Sequence, residues 1–209
     1  MKPITTVLSD IGNVVALHDD RIALAALAAL SGHSATEVND VIFGDGTDQL
    51  KPFRAFMRGE MDSDRFRTVV SEKLGCRRAL SKRRFEKAFG DIFTLNTPVT
   101  DLWRFLQRQG TVITAVSNLE PLRACYLVEM GVMDIFDHLV LSYEEGILKP
   151  SAELMIRALD RSGADAASAV FIDDKAKNLP PAEKLGIRTH CYENFEGLLF
   201  FLRTNDVEI

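Results

Sequence analysis

The stretch that most constrains the fold is an apolar run that ends in an acid and a glycine. Residues 4–8 are rich in β-branched side chains and show no helical stripe, which predicts a buried strand. Gly12 and Asn13 follow, and both residue types permit the positive φ angles of a sharp turn. Asp10 is therefore expected where a central parallel strand opens into a loop. Ligands of open α/β sheets bind outside such strand ends, although an Asp there can also simply cap the turn.

The length and the composition of the chain limit the classes of protein to which it can belong. With 209 residues the chain is long enough for one good core, or for a core plus a small insert. Its alanine-rich apolar run at 22–30 is too short to cross a bilayer, and residues 1–3 lead straight into a strand, so neither a membrane span nor a signal peptide is expected. The cysteines, Cys76, Cys125 and Cys191, lack metal-binding spacing and predict reduced thiols in a cytoplasmic protein.

The charge is unevenly distributed along the chain. A formal net charge of −5 argues against general nucleic-acid binding. Residues 51–87 nevertheless carry 12 Lys and Arg against 5 Asp and Glu, which either attract an anionic small molecule or form solvated helix faces. Arg54 and Arg58 lie one helical turn apart, and the same two interpretations apply to them: they either contact the substrate or belong to a solvated helix face. The segment lacks the interleaved aromatic side chains on which bases stack in nucleic-acid-binding proteins, so the expected partner is a small molecule. The protein is expected to be a monomer or a homodimer.

The first half of the chain is predicted to be helical. From Ser34 to about Phe93 the pattern favours helices, and no convincing strand falls there. Ser34 and Glu37 fit a capping box, and Asp62 and Ser81 are expected N-caps. Three aromatic positions are expected in the core of this insert rather than in a ligand pocket: Phe53, Phe56 and Phe66.

The second half alternates strands with helices. Thr97-Pro98 is a helix start signal, with Thr97 as the expected N-cap, and strands are expected at 111–116, 138–141, 169–172 and 187–191. Asn178 is expected to cap the helix between the last two strands. Such alternation predicts a parallel sheet covered on both faces. The predicted fold is α/β, with a Rossmann-like core of residues 1–16 plus 96–209 and an inserted helical cap of residues 17–95.

Polar groups are expected to converge at one edge of this sheet: Asp10, Ser117, Asn118, Lys149, Asp173 and Asp174. Converging carboxylates raise one another's pKa unless a cation neutralises them, and Mg²⁺ is a hard ion that prefers oxygen ligands and substrate phosphate. Lys149 and the Ser117 hydroxyl suit the oxygens of a bound phosphate. Asp10 suits nucleophilic attack through an aspartyl phosphate. The reaction class predicted from these residues is phosphoryl transfer.

Each of these groups has a plain structural interpretation when taken alone. Ser117-Asn118 can cap the following helix, Lys149 can be a surface charge, and Asp173-Asp174 can cap a turn. Their occurrence in order, all at carboxyl ends of strands, favours the site.

Four motifs together resemble the haloacid dehalogenase superfamily of hydrolases, in its helical-cap subfamily I. They are residues 7–15 (VLSDIGNVV), 115–118 (AVSN), 146–150 (GILKP) and 171–174 (FIDD), and residues 58–62 (RGEMD) add a pattern of the helical cap. Within the superfamily the chain is similar to bacterial α-glucose-1-phosphatase-like phosphatases and to the phosphatase domain of soluble epoxide hydrolases.

This resemblance implies a Mg²⁺-dependent phosphatase that hydrolyses a small phosphorylated metabolite such as a sugar phosphate. It makes Asp10 the nucleophile and a metal ligand, and Gly12 a ligand through its backbone carbonyl. Asp174, with Asp173 beside it, completes the acidic ligands. The remaining roles are phosphate binding by Ser117 and Asn118 and charge neutralisation by Lys149. The cap closes over the site and selects the substrate.

One position departs from the usual pattern of these phosphatases. Most carry a second Asp two residues after the nucleophile, which protonates the leaving group, whereas this chain has Gly12. Loss of a general acid costs about 10²–10⁴ in rate. The Asp-x-Gly-Asn pattern is similar to that of the sugar-1-phosphatase branch, whose hemiacetal leaving group needs less protonation. His18 is an alternative proton donor, or a plain histidine at an interface.

Two other functions remain open. A dehalogenase with an ester intermediate keeps the fold but needs no metal, so the intact Asp173-Asp174 pair argues against it. A catalytically impaired module that only binds a phosphorylated ligand is the third hypothesis, because of Gly12.

Overall fold

The structure, a computed structural model, describes residues 2–44 and 52–209. Its strands are β1 (Thr6–Ser9), β2 (Ala16–His18), β3 (Phe93–Leu95), β4 (Val112–Ser117), β5 (His138–Leu141), β6 (Ala169–Asp173) and β7 (Arg188–Cys191). Its helices are α1 (Asp20–Ser31), α2 (Ala35–Ile42), α3 (Pro52–Met57), α4 (Ser63–Lys73), α5 (Lys82–Gly90), α6 (Thr97–Arg108), α7 (Pro121–Glu129), α8 (Ser142–Glu145), α9 (Ala152–Ser162), α10 (Pro180–Lys184) and α11 (Phe195–Thr204).

A parallel sheet forms the centre of the molecule, in the strand order β5-β4-β1-β6-β7. Strand β1 is the middle strand, and Thr6 pairs with Val112 of β4 on one side and with Ala169 of β6 on the other. Every pairing within this sheet is parallel. The predicted α/β class is confirmed, and the bounds of these strands lie close to those expected.

The two faces of the sheet carry separate hydrophobic clusters, because successive side chains of a strand point to opposite faces. Val7 packs on one face with Trp103 of α6 and Leu198 of α11. Leu8 packs on the other face with Leu154 of α9. Helices therefore cover both faces, as parallel sheets require.

Helices α1 to α5 pack around a third hydrophobic cluster of their own. Phe56 and Phe66 stack at its centre with ring centroids 4.3 Å apart, and neither side chain is exposed. Leu122 of α7 also belongs to this cluster, so a helix of the sheet layer contributes to it. The expectation that Phe56 and Phe66 are core residues agrees with this packing.

A short antiparallel ribbon, which the sequence pattern does not predict, joins the two regions. Strand β2 pairs with β3, with Ala16 opposite Leu95 and His18 opposite Phe93. Leu17 and His18 lie in this ribbon, and α1 begins at Asp20, with Asp19 as its N-cap. Three-residue strands carry too little alternation for a pattern of period two to be recognised.

The helix caps are only partly as predicted. The capping box of Ser34 and Glu37 is present, and the Asp62 side chain accepts a hydrogen bond from Arg65 N. Ser81 occupies the N-cap position of α5 without a side-chain hydrogen bond, and Asn96 rather than Thr97 is the N-cap of α6. The expectation for Asn178 is wrong, because Leu179 is the N-cap of α10.

Within residues 2–44 and 52–209, no helix combines the length and the apolar character needed to cross a bilayer.

Candidate active site

The functional groups predicted from the sequence meet at one edge of the sheet because β1, β4 and β6 run in the same direction. Asp10 follows β1, Ser117 ends β4 and Asp173 ends β6. The Asp10 amide donates a 2.8 Å hydrogen bond to the Ile172 carbonyl, which extends the sheet pairing up to the acid. The three side chains are therefore held by the most buried part of the fold.

Asp10 is buried and fully engaged by hydrogen bonds. Its Oδ1 accepts hydrogen bonds from Ser117 Oγ at 2.7 Å and from Ile11 N at 2.8 Å. Its Oδ2 lies 2.9 Å from Lys149 Nζ. Burial raises the pKa of Asp10, but the charge and the hydrogen bonds of Lys149 and Ser117 outweigh it and hold that pKa below its ordinary value. The carboxylate is thus kept ionised.

Lys149 is shared between two acids. Its Nζ donates a 2.6 Å hydrogen bond to Asp173 Oδ2, and its side chain is only 1% exposed. Burial lowers the pKa of Lys149, but Asp10 and Asp173 outweigh it and raise that pKa. Burial also raises the pKa of Asp173, against the opposing charge of Lys149. One ammonium group is therefore shared by a pair of carboxylates in this interior.

Two asparagines hold this arrangement in place. Asn118 Oδ1 accepts a 2.7 Å hydrogen bond from Lys149 N, and its Nδ2 donates a 3.1 Å hydrogen bond to Lys149 O. Asn178 Nδ2 donates a 2.8 Å hydrogen bond to Asp173 Oδ1. Asn118 thus fixes the loop that carries Lys149, and its expected contact with phosphate stays a prediction. Asn178 is buried and supports the site instead of capping a helix.

Three carboxylates form a cluster with the ligand type that Mg²⁺ prefers. Asp10, Asp173 and Asp174 each offer an oxygen, and these atoms lie within 4.8 Å of one another. Asp174 Oδ2 accepts a 3.3 Å hydrogen bond from Asn13 Nδ2. Asp174 Oδ1 is buried and has no hydrogen-bond partner among the described residues. Lys175 Nζ lies 3.7 Å from this oxygen, beyond hydrogen-bond distance. Because a buried oxygen without a hydrogen bond is costly, the donor set fits a hard divalent cation.

Asp10 of this cluster also lines a cavity of about 310 Å³, within the usual range for small-molecule sites. Ser117 and Lys149 line the same cavity. Its lining also includes Phe53 and Arg54 of α3, from the helical region. Arg54 therefore reaches the cavity, whereas Arg58 pairs with Glu60. Phe53 packs partly on the third cluster and also lines the cavity, so the expectation that it is only core needs this correction.

A second charged group in the cavity wall was not anticipated from the sequence. Arg123 of α7 is buried, and its Nη2 donates a 2.6 Å hydrogen bond to Asp20 of α1. Its guanidinium lies 4.5 Å from the ring centroid of Phe89 in α5. Arg123 thus links the sheet layer to the helical region by an ion pair and a cation–π contact.

Glu120 lies beside this arginine and is also buried. Its Oε2 accepts hydrogen bonds from Leu122 N and Arg123 N at the start of α7, while Oε1 has no hydrogen-bond partner in the described part of the chain. Burial raises the pKa of Glu120 to about 7, against the opposing charge of Arg123. No spacing rule marks Glu120 or Arg123 as site residues, because the chemistry depends on the helical region that packs over them.

The turn after Asp10 differs in detail from the expectation. The positive φ angle, 57°, falls on Asn13 and not on Gly12. Asn13 Oδ1 accepts a 3.2 Å hydrogen bond from His18 N, so this residue ties the turn to β2. His18 lines the cavity with Asp10. Burial lowers the pKa of His18, and the Asp20 carboxylate opposes this effect.

Comparison with known proteins places this geometry in a family. A family model described as haloacid dehalogenase-like hydrolase matches residues 4–186. A sesquiterpene phosphatase, astK, of Aspergillus oryzae is 27% identical over 133 residues, which are 63% of this chain and 67% of that protein. A glyceraldehyde 3-phosphate phosphatase of Methanocaldococcus jannaschii is 34% identical over 64 residues, which are 30% of this chain and 28% of that protein.

A solved structure shares the fold over nearly its whole length. The HAD family enzyme bt-2542 of Bacteroides thetaiotaomicron, in complex with magnesium and inorganic phosphate, superposes with a TM-score of 0.79. It is 22% identical, and the match covers 93% of this chain and 98% of that chain. The family match spans far more than half of the sequence, and the chain therefore belongs to the haloacid dehalogenase-like hydrolases.

Proposed function

We propose that this chain is a Mg²⁺-dependent phosphatase that hydrolyses a small phosphorylated metabolite through an aspartyl phosphate on Asp10. The observation that carries the proposal is the ionised, buried Asp10, which is held between Ser117 and Lys149 and lines a cavity. The named relatives support it, since two are phosphatases and one structure holds magnesium and phosphate. A metal-free dehalogenase has no use for the carboxylate cluster of Asp173 and Asp174.

The roles of the residues follow from their contacts. Asp10 attacks the phosphorus atom, a P–O bond forms to its carboxylate, and the bond to the leaving oxygen breaks with its electron pair. Ser117 and Lys149 hold the carboxylate in place and present positive charge and a hydroxyl to the phosphate oxygens. Water then cleaves the aspartyl phosphate, which releases inorganic phosphate and restores the carboxylate.

Asp10, Asp174 and Asp173, with the Gly12 carbonyl, are the proposed ligands of Mg²⁺. When bound, Mg²⁺ supplies positive charge that neutralises these carboxylates and the phosphate. Asn118 orients the phosphate-binding loop through the backbone of Lys149 and lines the cavity.

Residues 17–95 are the proposed cap domain over this site. Three observations support these bounds. The region has its own hydrophobic cluster, its two ends are joined by the β2–β3 ribbon, and α3 contributes one wall of the cavity. Ser142 Oγ donates a 2.7 Å hydrogen bond to Met57 O, which fixes the end of α3 against the sheet layer.

A sugar phosphate is the proposed substrate class. Two polar atoms of residues that line the cavity, Arg54 Nε and Glu120 Oε1, are buried without a hydrogen-bond partner in residues 2–44 and 52–209, although Arg123 Nε lies 3.5 Å from Glu120 Oε1. A ligand with several hydroxyl groups can satisfy such a donor and such an acceptor, which an apolar leaving group cannot.

The test is phosphate release from a panel of esters with Mg²⁺ and with EDTA, for the wild type and Asp10→Asn. The panel contains p-nitrophenyl phosphate, sugar phosphates with anomeric or primary phosphate, glyceraldehyde 3-phosphate and a sesquiterpenyl phosphate. Activity that needs Mg²⁺ and falls at least 10³-fold in Asp10→Asn is expected, where ~10³ is a conservative bound for loss of a nucleophile. Metal-independent halide release from a 2-haloacid, without phosphate release, overturns the proposal.

A further inference from the structure

The imidazole of His18 occupies the space that a side chain at position 12 would enter. A Cβ atom added to Gly12 would lie 3.1 Å from His18 Cε1 and 3.5 Å from His18 Nδ1. Gly12 has no positive φ angle, so the backbone would accept a side chain here, but the imidazole would have to shift by a few tenths of an ångström to make room for it. The place left open by the missing acid is therefore filled by a histidine from β2.

The ring is fixed from several sides. The backbone amide of His18 donates to Asn13 Oδ1, and the residue pairs with Phe93 across the β2–β3 ribbon. The rings of His18 and Phe93 pack with their centroids 5.6 Å apart. A side chain held by strand pairing and by ring packing presents its polar atoms in one orientation, as a group that acts on a reacting atom requires.

The two ring nitrogens have different surroundings. Nδ1 is shielded and has no hydrogen-bond partner among the residues that the structure describes. Nε2 lies 4.0 Å from Asp20 Oδ2 in a side chain that is 16% exposed and lines the cavity. The carboxylate favours the tautomer with the proton on Nε2, since the nearby negative charge attracts an N–H group. In this tautomer the neutral ring has an N–H donor at Nε2 and a lone pair at the shielded Nδ1.

We propose that His18 is a catalytic residue whose Nε2–H donates a hydrogen bond to the leaving-group oxygen of the substrate. This rests on the proposed phosphatase function. As Asp10 attacks, the P–O bond breaks and its electron pair stays on the leaving oxygen, which carries the developing charge. The Nε2–H hydrogen bond stabilises that charge, and the oxygen takes its proton from water. A single donor of this kind contributes about 10²–10³ in rate. The enzyme is then not restricted to substrates with a weakly basic leaving group such as a hemiacetal.

The experiment compares leaving groups in His18 variants. For the best alkyl phosphate of the panel and for p-nitrophenyl phosphate, kcat/KM is measured in the wild type, His18→Leu and His18→Gln. In His18→Leu the ratio of alkyl to p-nitrophenyl activity is expected to fall by about 10² or more, because the alkoxide needs the donor far more than the nitrophenolate does. His18→Gln restores most of that ratio, since its amide is a donor of similar reach.

A matched control and a second variant keep the result interpretable. His33→Gln changes a histidine outside the cavity lining and leaves both activities unaltered. If His18→Leu does not fold, as judged by circular dichroism, His18→Ala replaces it, and the same fall in the ratio of alkyl to p-nitrophenyl activity is expected.

The outcomes separate this inference from the proposed function. An unchanged ratio in His18→Leu, or equal losses on both substrates, overturns the role of His18 while the phosphatase stands. Turnover of p-nitrophenyl phosphate with no turnover of any alkyl phosphate by the wild type also overturns it. A wild type that hydrolyses no phosphate ester overturns the proposed function, and the inference falls with it.

Discussion

Lys149 Nζ lies 2.9 Å from Asp10 Oδ2, and both side chains are almost completely buried. An ion pair in such a position is worth little as a source of stability, because desolvation offsets most of the Coulomb attraction. Its importance lies in keeping the carboxylate charged inside the protein. The pair is shared with Asp173, which makes Lys149 the centre of an unbalanced cluster with more acid than base.

Replacement of Lys149 by Met is expected to lower the free energy of unfolding by about 3–5 kcal/mol, because Asp10 and Asp173 are left as unpaired buried charges. Urea unfolding in EDTA measures this loss. Lys175→Met is the control, since its Nζ lies 3.7 Å from Asp174 in a half-exposed side chain, and less than about 1 kcal/mol is expected there. Equal losses in the two variants contradict a special role for the buried pair.

Mg²⁺ is expected to stabilise the wild type against unfolding without any substrate present. At a concentration a hundred times Kd the gain is about 2.7 kcal/mol, since the ion binds the folded state. Asp174→Asn should lose most of this gain, because Oδ1 of Asp174, which has no hydrogen bond among the described residues, is a proposed ligand. Asp165→Asn, an exposed acid paired with Lys2, should keep it. A Mg²⁺ effect that is the same in both variants contradicts the proposed ligand.

The stability of the wild type is expected to fall as the pH rises from about 4.5 to about 7, through Glu120. Burial raises the pKa of this carboxyl from 4.5 to about 7, so the folded state holds its proton more tightly than the unfolded state does. The contribution is fully present below pH 4.5 and is lost above pH 7, and a shift of this size corresponds to roughly 3 kcal/mol.

Glu120→Gln removes this titration and can keep the hydrogen bonds to the backbone of α7. Chemical unfolding of both proteins at several pH values measures the difference between their free energies of unfolding. As the pH rises, this difference should change by roughly 3 kcal/mol in favour of the variant. If the free energies of unfolding of the two proteins change with pH in the same way, Glu120 is not the cause of the pH dependence.

Phe66 is expected to be a main support of the helical region. Phe66→Ala should cost about 3–5 kcal/mol, because the side chain is fully buried and stacks on Phe56. Phe200→Ala is a matched change at a side chain that is 70% exposed and should cost less than about 1 kcal/mol. Thermal or urea unfolding compares the two, and similar losses refute the assignment of Phe66 to that core.

The acids at the strand ends are predictable from the sequence because their placement depends on local order along the chain. A parallel sheet brings the ends of β1, β4 and β6 to one edge whenever these strands are neighbours. Asp10, Ser117 and Asp173 therefore meet as expected. Asn178 is wrongly predicted to be a helix cap, because its nearest signal in the sequence is Pro180, whereas its partner in space is Asp173.

The sequence does not predict what the helical region contributes to the site, and the reason is different. Arg123 and Glu120 look like ordinary residues at the start of α7, and only the packing of α1 and α5 against that helix turns them into buried charges. The β2–β3 ribbon is not predicted because two strands of three residues carry almost no periodic signal.

The sequence by itself determined the α/β fold, the order of most strands and helices, and the set of acids and the lysine at the strand ends. These depend on hydrophobic periodicity and on residues that follow strands directly, which are local properties of the chain. The tertiary structure decided which buried polar atoms of the described residues lack a hydrogen bond, and that the His18 ring lies in the space beside Gly12. Such relationships arise where separate segments pack together, so that burial and distance set the chemistry and no spacing along the chain encodes them.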